Sequence, residues 1–475
     1  MRRVRYWSVQ HAARMESLYG LFKRVAPYFR PVVGLLGDKT AERMLAGCES
    51  LIKGFFFDCR MCGQCALSST GMACPMNCGK QLRNGPCGGV TGDGCCEVDH
   101  GMRCAWLEAG TGAAMMVGGD AYRQVQPAID HRKAGTTTWL KIVRNEVDPA
   151  LPELKSDPFL SGTTTGSFQS ACDSGAFVVT VEISPPDSVD PLDLLKRAEV
   201  LRGLVDAVNV TDNAGAHSHL SSLASAVLLA ADGHTPVFQV GCRDRNRIAI
   251  QADIMGGAAL GIQNLLCLTG DSVGQGDQPQ AKPVFDLDAV SLLGVAKGMR
   301  DRGVYASGRK LTSRPDLFLG ATTNPFAPPY EDRIINLEKK IEAGARFIQT
   351  QFCFDLELLQ RFMKEVCSRG LDERCRILVG LGPLSSVRTA RWLSANVPGV
   401  HVPPALIQRL EQANDAKQEG ILICTEFIQA LQEIKGVSGV HLMGHRNEAI
   451  LAEIIASSGL AGRLSEGTTA ARYAA

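Results

Sequence analysis

The chain of 475 residues has no run approaching the roughly 20 apolar residues that cross a bilayer, so no membrane span is expected. Its N-terminus lacks the small-residue cleavage pattern of a secretory leader, and the expected location is the cytoplasm. Net charge is almost absent: 50 Lys and Arg against 49 Asp and Glu leave +1, which excludes a general polyelectrolyte partner such as nucleic acid. No G-x-G-x-x-G follows a β-rich run, so the usual dinucleotide fingerprint is missing. Apolar content of 45% and charged content of 21% describe an ordinary globular protein, and the length exceeds what one core fills, so two domains are expected.

Cysteine, by contrast, is abundant. Ten of the 17 cysteines lie between Cys48 and Cys104. In a reducing compartment they are not expected to pair as disulfides, and the concentration points to metal. Cys59, Cys62 and Cys65 form a C-x2-C-x2-C run in which one local turn aims three thiolates at a single centre, and Cys74-Pro75 follows at a distance a loop closes. Three close cysteines plus a distant Cys-Pro is the iron-sulfur arrangement of bacterial ferredoxins, whereas zinc sites more often pair two C-x2-C knuckles. Cys78, Cys87, Cys96 and Cys104 supply a second set of four, with Cys48 and Cys95 spare, so two clusters are expected. The alternative is one or two structural zinc ions in a small domain with little core of its own.

Ahead of the cysteines, residues 1–30 carry seven Lys and Arg against the single acid Glu16, interleaved with Tyr6, Trp7, Tyr19, Phe22, Tyr28 and Phe29. That mixture suits a surface that docks on a partner or another subunit, and a homo-oligomer is expected; a basic amphipathic helix packed on its own protein is the other reading. Residues 1–108 thus read as a basic helical lead-in plus a Cys-rich metal-binding domain. Residues 109–170 read as a connector, because "EVDPALPELKSDP" holds three prolines and "SGTTTGSFQSACDSG" is a small, polar run typical of exposed linkers.

Over residues 171–475 the pattern becomes strand and helix in alternation. Apolar, β-branched runs at 177–183, 207–212, 236–241, 264–270, 317–323, 346–352, 376–381 and 439–444 are separated by amphipathic stretches such as "DRIINLEKKIEAGA". Eight such units predict an α/β (βα)8 TIM barrel, with an open doubly wound sheet as the alternative.

The chemistry of such a barrel sits where the strands end. There the sequence places Glu182, Thr211, Gln239, Thr269, Gly270, Asp271, Gln351 and His441, with Lys340 at the inner end of a helix. No clustered metal ligands and no Ser or Cys with an obvious base occur among them, which argues against hydrolysis and for a large polar heterocycle. Glu182 interrupts a Val/Ile run and precedes Pro185 and Pro186, so a half-buried carboxyl with a raised pKa, fit for general acid catalysis, is expected. The competing reading is a strand-end carboxylate meeting solvent. Asp271 opens a Gly-rich loop and suits a ring N–H, or else caps its own turn. Gln351 falls in a run expected to be buried, where an amide pairs with a ring offering donor and acceptor edges. His441 and His445 read as ligands or, more simply, as core histidines.

With "VTVEISPP", "LTGD", "INLEKKIEAGARFIQTQFCFD" and "ILVGLGPL" in this order, residues 176–460 resemble the methylenetetrahydrofolate reductase family. The resemblance implies a flavin-holding (βα)8 barrel that passes hydride from a donor to flavin and on to methylenetetrahydrofolate, giving methyltetrahydrofolate. It implies that Glu182 protonates the folate, that Asp271 lies near flavin and pterin, that Gln351 binds the pterin, and that Thr211, Thr269, Gly270 and Lys340 contact flavin, with Lys340 at its phosphate. The Cys-rich run, too, resembles a domain fused to or encoded beside some family members. Two departures stand out: Arg333 occupies the place of an acid near the flavin's adenosine part, and "FQVGCRDRNR" replaces a histidine-led segment. FAD is the family default and FMN the alternative; the donor is NAD(P)H or a partner redox protein. A second class of function stays open, a non-redox folate-binding barrel serving as a methyltransferase component with a zinc-binding Cys-rich domain.

Overall fold

The computed structural model describes residues 2–146 and 167–460. The proline-bearing part of the expected connector, and residues 461–475 of the expected barrel domain, lie outside the described residues. Four helices lead: α1 (Arg2–Gln10), α2 (Ala12–Val25), α3 (Arg30–Leu36) and α4 (Asp38–Phe57). A loop-rich segment then carries the cysteines up to α5 (Ala105–Ala113), followed by α6 (Trp139–Arg144) and α7 (Ser167–Asp173). All seventeen cysteines are free.

Eight parallel strands close into a barrel: β1 (Val178–Ile183), β2 (Ala207–Val210), β3 (Pro236–Gly241), β4 (Asn264–Leu268), β5 (Phe318–Thr323), β6 (Phe347–Phe352), β7 (Arg376–Leu381) and β8 (Val437–Leu442). Closure is made by β8 on β1, with Val178 opposite Gly439 and Val181 opposite Leu442. The expected barrel is therefore the fold, and the open sheet is not. Between the strands run α8 (Leu192–Glu199), α9 (Ser222–Ala231), α10 (Arg247–Ala259), α11 (Ala289–Lys297), α12 (Tyr330–Glu342), α13 (Leu356–Ser368), α14 (Val387–Asn396), α15 (Pro404–Gln412) and α16 (Ala416–Gln432), with α17 (Glu448–Ser457) after β8. The helices start where short polar side chains can cap them. Ser221, Asn246, Asp288, Asp355, Ser386 and Asp415 each accept from the first free backbone N–H groups of α9, α10, α11, α13, α14 and α16.

Alternation along the strands sorts the side chains into two cores. Residues such as Val179, Val181, Val208, Val210, Phe238, Val240, Leu265 and Leu319 pack outward against the helices. Their neighbours point inward, and the lowest inward layer is apolar: Val178, Ala207, Val237, Leu266, Phe318, Phe347 and Leu378. Gly320 belongs to this interior because a Cβ there would run into the Phe347 ring.

The run "SGTTTGSFQSACDSG" departs from its reading as an exposed linker. Its second half forms α7, which inserts Phe168 and Cys172, both fully buried, beneath the barrel. The Phe168 ring lies 5.6 Å from that of Phe318 and 5.1 Å from that of Phe347. A stretch of small polar residues hides one aromatic plug, and composition averages over it. Among the described residues no helix is long and apolar enough to cross a membrane.

Candidate active site

Two residues above the apolar floor, the inward positions become polar. Thr180, Asn209, Gln349 and His441 are all buried there. Buried polar groups must find partners, and these find one another. Asn209 Nδ2 donates to Gln349 Oε1 at 2.7 Å, Gln349 Nε2 reaches Thr180 Oγ1 at 3.4 Å, and Thr180 Oγ1 pairs with His441 Nδ1 at 2.9 Å. The outer imidazole nitrogen of His441 then lies 3.9 Å from Glu182 Oε2. His441 links an interior network to the carboxyl above it.

The next inward layer opens to a cavity of about 480 Å³ at the C-terminal ends of the strands. Glu182, Thr211, Gln239, Thr269, Gly270, Asp271, Gln351 and Lys340 all line it. Glu182 retains 27% side-chain exposure. Thr211 is buried with its hydroxyl unpartnered by protein, so a polar ligand edge would complete it. Gln239 Oε1 accepts from Asp212 N at 3.4 Å, and Thr269 Oγ1 from Ala289 N at 3.3 Å. Gly270 has φ of +92°, and a Cβ would come within 2.9 Å of Arg243 Cβ, so only glycine lets the backbone bend here. Exposed Asp271 accepts from Gly215 N at 3.3 Å. Lys340 Nζ donates to Thr322 O at 2.6 Å, and burial pulls its ammonium down to about 8.

Gln351 differs from expectation. The fully buried glutamine is Gln349, two residues earlier on the same face, while Gln351 stands at the rim, partly exposed. Its Oε1 accepts from Phe352 N at 3.0 Å, which leaves the amide donors facing the cavity. One apolar run contains both residues, and only depth within the barrel separates them.

The roof of the cavity was not legible in the sequence. It is built by the Cys-rich segment through Lys80, Asn84, Pro86, Cys87, Gly88 and Glu97. The fastening is dense. Arg83 N and Asn84 N donate to Asp288 Oδ2 at 3.0 and 2.8 Å, Asn336 Nδ2 to Asn84 O at 3.1 Å, and Asn324 Nδ2 to Gly88 O at 3.2 Å. Arg333, the unexpected cation of α12, is fully buried and donates to Cys87 O at 2.6 Å, Pro328 O at 2.5 Å and Ala327 O at 2.9 Å. Its place in the fold is that of a rivet between the Cys-rich segment and the barrel. In "FQVGCRDRNR", Arg243 lines the cavity and pairs with Asp244 at 2.7 Å, while Arg245 pairs with Asp212.

Cys59, Cys62, Cys65 and Cys74 line one small cavity with Lys53, whose Nζ lies 3.3 Å from Cys65 Sγ. Cys59 and Cys74 hydrogen-bond, which lowers the pKa of the first thiol and raises that of the second. Cys78, Cys87 and Cys104 are close enough for their charges to interact, and Cys104 also feels Cys96. Burial raises the thiols of Cys78, Cys87 and Cys104. So buried, these groups stay protonated thiols unless a cation stands beside them. The first group opens to the surface at Cys65, and the second touches the barrel cavity through Cys87.

Known proteins bear on this arrangement in two ways. Residues 39–132 match the family model described as "Methylene-tetrahydrofolate reductase C terminal", although here they precede the barrel. The 5,10-methylenetetrahydrofolate reductase of Salmonella typhimurium is 25% identical over 281 residues, 56% of this chain and 86% of that protein. A probable methylenetetrahydrofolate reductase (NADPH) of Caenorhabditis elegans is 24% identical over 245 residues, covering 50% of this chain but only 34% of the nematode protein. A solved structure from Clostridium thermocellum, an uncharacterized protein that binds two copies of 5-methyl-5,6,7,8-tetrahydrofolic acid, aligns with TM-score 0.46 and 15% identity over 62% of this chain and 99% of its own. The model described as "Methylenetetrahydrofolate reductase" matches residues 167–459, from the plug helix through all eight strands, and the chain belongs to that family.

Proposed function

We propose that the protein interconverts 5,10-methylenetetrahydrofolate and 5-methyltetrahydrofolate at the mouth of the barrel, by way of a bound flavin. The observation that carries this reading is the convergence of Glu182, Gln351, Thr211, Gln239, Asp271 and Lys340 on one roofed cavity. The fit to a flavin rests on the unpartnered buried hydroxyl of Thr211, the close backbone approach at Gly270 and a buried ammonium at Lys340. Thr211, Gln239, Thr269 and Gly270 would hold the ring system and its chain, and Lys340 the phosphate. When bound, the flavin supplies the hydride. Glu182 gives the proton that opens the imidazolidine ring of the folate, with His441 beneath it keeping the carboxyl in place. Gln351 donates its amide hydrogens to the pterin, and Asp271 accepts from a pterin N–H. FAD is the default; FMN is the second reading, because buried Arg333 donates to Cys87 O of the Cys-rich segment and to Ala327 O and Pro328 O of the loop before α12 rather than facing a cofactor's adenosine end.

Cys59, Cys62, Cys65 and Cys74 would hold an outer iron-sulfur cluster, and Cys78, Cys87, Cys96 and Cys104 an inner one. The arrangement in series, surface to cavity, supports their use in electron supply. A visible spectrum and metal analysis of the purified protein test both parts. The expected result is a flavin band that bleaches with dithionite and returns on adding methylenetetrahydrofolate, with about eight iron atoms per chain. Protein that stays colourless after flavin reconstitution overturns the redox function in favour of a folate-binding methyltransferase component. Zinc without iron overturns the cluster assignment alone and makes NAD(P)H the donor.

A further inference from the structure

We infer that the face formed by α2, α3 and α4 is the docking surface for an acidic one-electron carrier protein. The inference rests on the proposed cluster at the outer cysteine set. Leu21, Tyr28, Val32, Leu35, Leu51 and Phe55 expose between 52% and 89% of their surface on these helices and the turn that joins α2 to α3. Apolar exposure on that scale marks an interaction site. Around it stand Arg14, Lys23, Arg24, Arg30, Lys39 and Arg43, all exposed. The acids of the same segment are fewer, and two of the four are paired with cations outside these six. Glu16 accepts from Val117 N and Gly118 N, both at 2.8 Å, Asp38 pairs with Arg144, Glu42 accepts from Thr137 N at 2.8 Å, and Glu49 pairs with Lys53 at 2.5 Å. The face is therefore cationic around an apolar centre, and its complement is an acidic rim around an apolar patch.

α4 joins this surface to the outer cysteine set: Leu51 and Phe55 stand on its exposed side, while Nζ of the buried Lys53 on its inner side lies 3.3 Å from Sγ of Cys65, which is itself exposed. Lys23 of the cationic rim stacks over the Tyr19 ring at 4.6 Å. A second copy of the chain fits less well, because a two-fold contact would set these six cations against their own images. An anionic bilayer would match the charge but not the position beside a redox-competent thiolate set. Each docking event passes one electron to the outer site and leaves the carrier oxidised by one electron. Two such events, with two protons from solvent, convert one methylenetetrahydrofolate to methyltetrahydrofolate.

The test uses the full protein with its cofactors, a plant-type ferredoxin and a flavodoxin as acidic probes, and the variant R24E/R30E/K39E/R43E. Binding of the oxidised probes is read by calorimetry, and reduction of the protein by the reduced probes is read in stopped flow. We expect affinity and rate to fall about tenfold or more in the variant, and the wild-type rate to fall with added salt. Dithionite reduction and iron content should match the wild type. An unchanged affinity and rate, or a wild-type rate indifferent to salt, overturns the inference. So does a variant whose defect is loss of a dimer in light scattering, or loss of binding to anionic vesicles, with the carrier rate preserved. A preparation without iron overturns the cluster assignment, and probe binding, which requires no electron transfer, still decides the surface.

Discussion

Lys80 Nζ, from the Cys-rich segment, donates to the carbonyl oxygen of Gly270 on the barrel at 2.6 Å while pairing with Glu97. The two residues are 190 apart in the chain. Gly270 sets the direction of the loop that carries Asp271, so the Cys-rich segment holds part of the proposed folate site in shape. Lys80→Met leaves the Glu97 carboxylate buried without its partner, at a cost of about 3–5 kcal/mol. Lys80→Met/Glu97→Gln should recover much of the stability by chemical denaturation but keep a raised KM for folate, because Gly270 O still lacks its donor. Recovery of both would show that Lys80 acts on stability alone.

Glu182→Gln should leave flavin reduction near wild type and lower folate turnover by about 10²–10⁴-fold, the usual worth of a general acid. Half-reactions in stopped flow separate the two. Thr180→Val removes the Nδ1 partner of His441 and should lower kcat with little change in KM. Equal loss of both half-reactions in Glu182→Gln would contradict the general-acid role.

Arg333→Met strips the donors from Cys87 O, Ala327 O and Pro328 O. Three buried acceptors left unpaired amount to a loss of roughly 3 kcal/mol or more. Limited proteolysis should cut first within the Cys-rich segment. Arg333→Lys should not restore the contacts, because an ammonium lacks the planar fork that spans three carbonyls.

Stability should depend on Glu108, which burial raises from 4.5 to about 7 despite Arg5 beside it. A folded-state pKa above the unfolded one means that the folded chain binds the extra proton between those values. Its contribution is complete below pH about 4.5 and is lost as pH rises to about 7, with an upper bound of about 3 kcal/mol. Glu108→Gln should flatten that part of a Tm-against-pH profile.

Cys62→Ser and Cys78→Ser address the two cysteine groups separately. Each should remove about half of the iron, and only the second should disturb the flavin spectrum, since its group touches the cavity through Cys87. Loss of all iron from either would mean that the groups fold as one unit.

Much of this molecule can be read from local pattern, and the limits of that reading are physical. A strand buried on both faces must be apolar and about six residues long, so the eight runs declared themselves, and the alternation within each put Glu182, Thr211, Gln239 and Gln351 on the inward side. What the chain could not show locally is depth and docking. Gln349 and Gln351 share a face and a run, and only the closed barrel makes one an interior link and the other a rim donor. Phe168 looks like a linker residue until the floor it plugs exists. Lys80 over Gly270, Arg333 beneath Cys87 and Asp288 under Asn84 join segments about 200 residues apart. Such contacts come from how the Cys-rich segment settles on the barrel mouth, which no local period of hydrophobicity encodes. Sequence alone thus determined the barrel and the polar ring at its strand ends; tertiary structure decided that the Cys-rich segment roofs the same cavity, because only packing brings an ordinary lysine and a misplaced arginine to backbone carbonyls they could not otherwise meet.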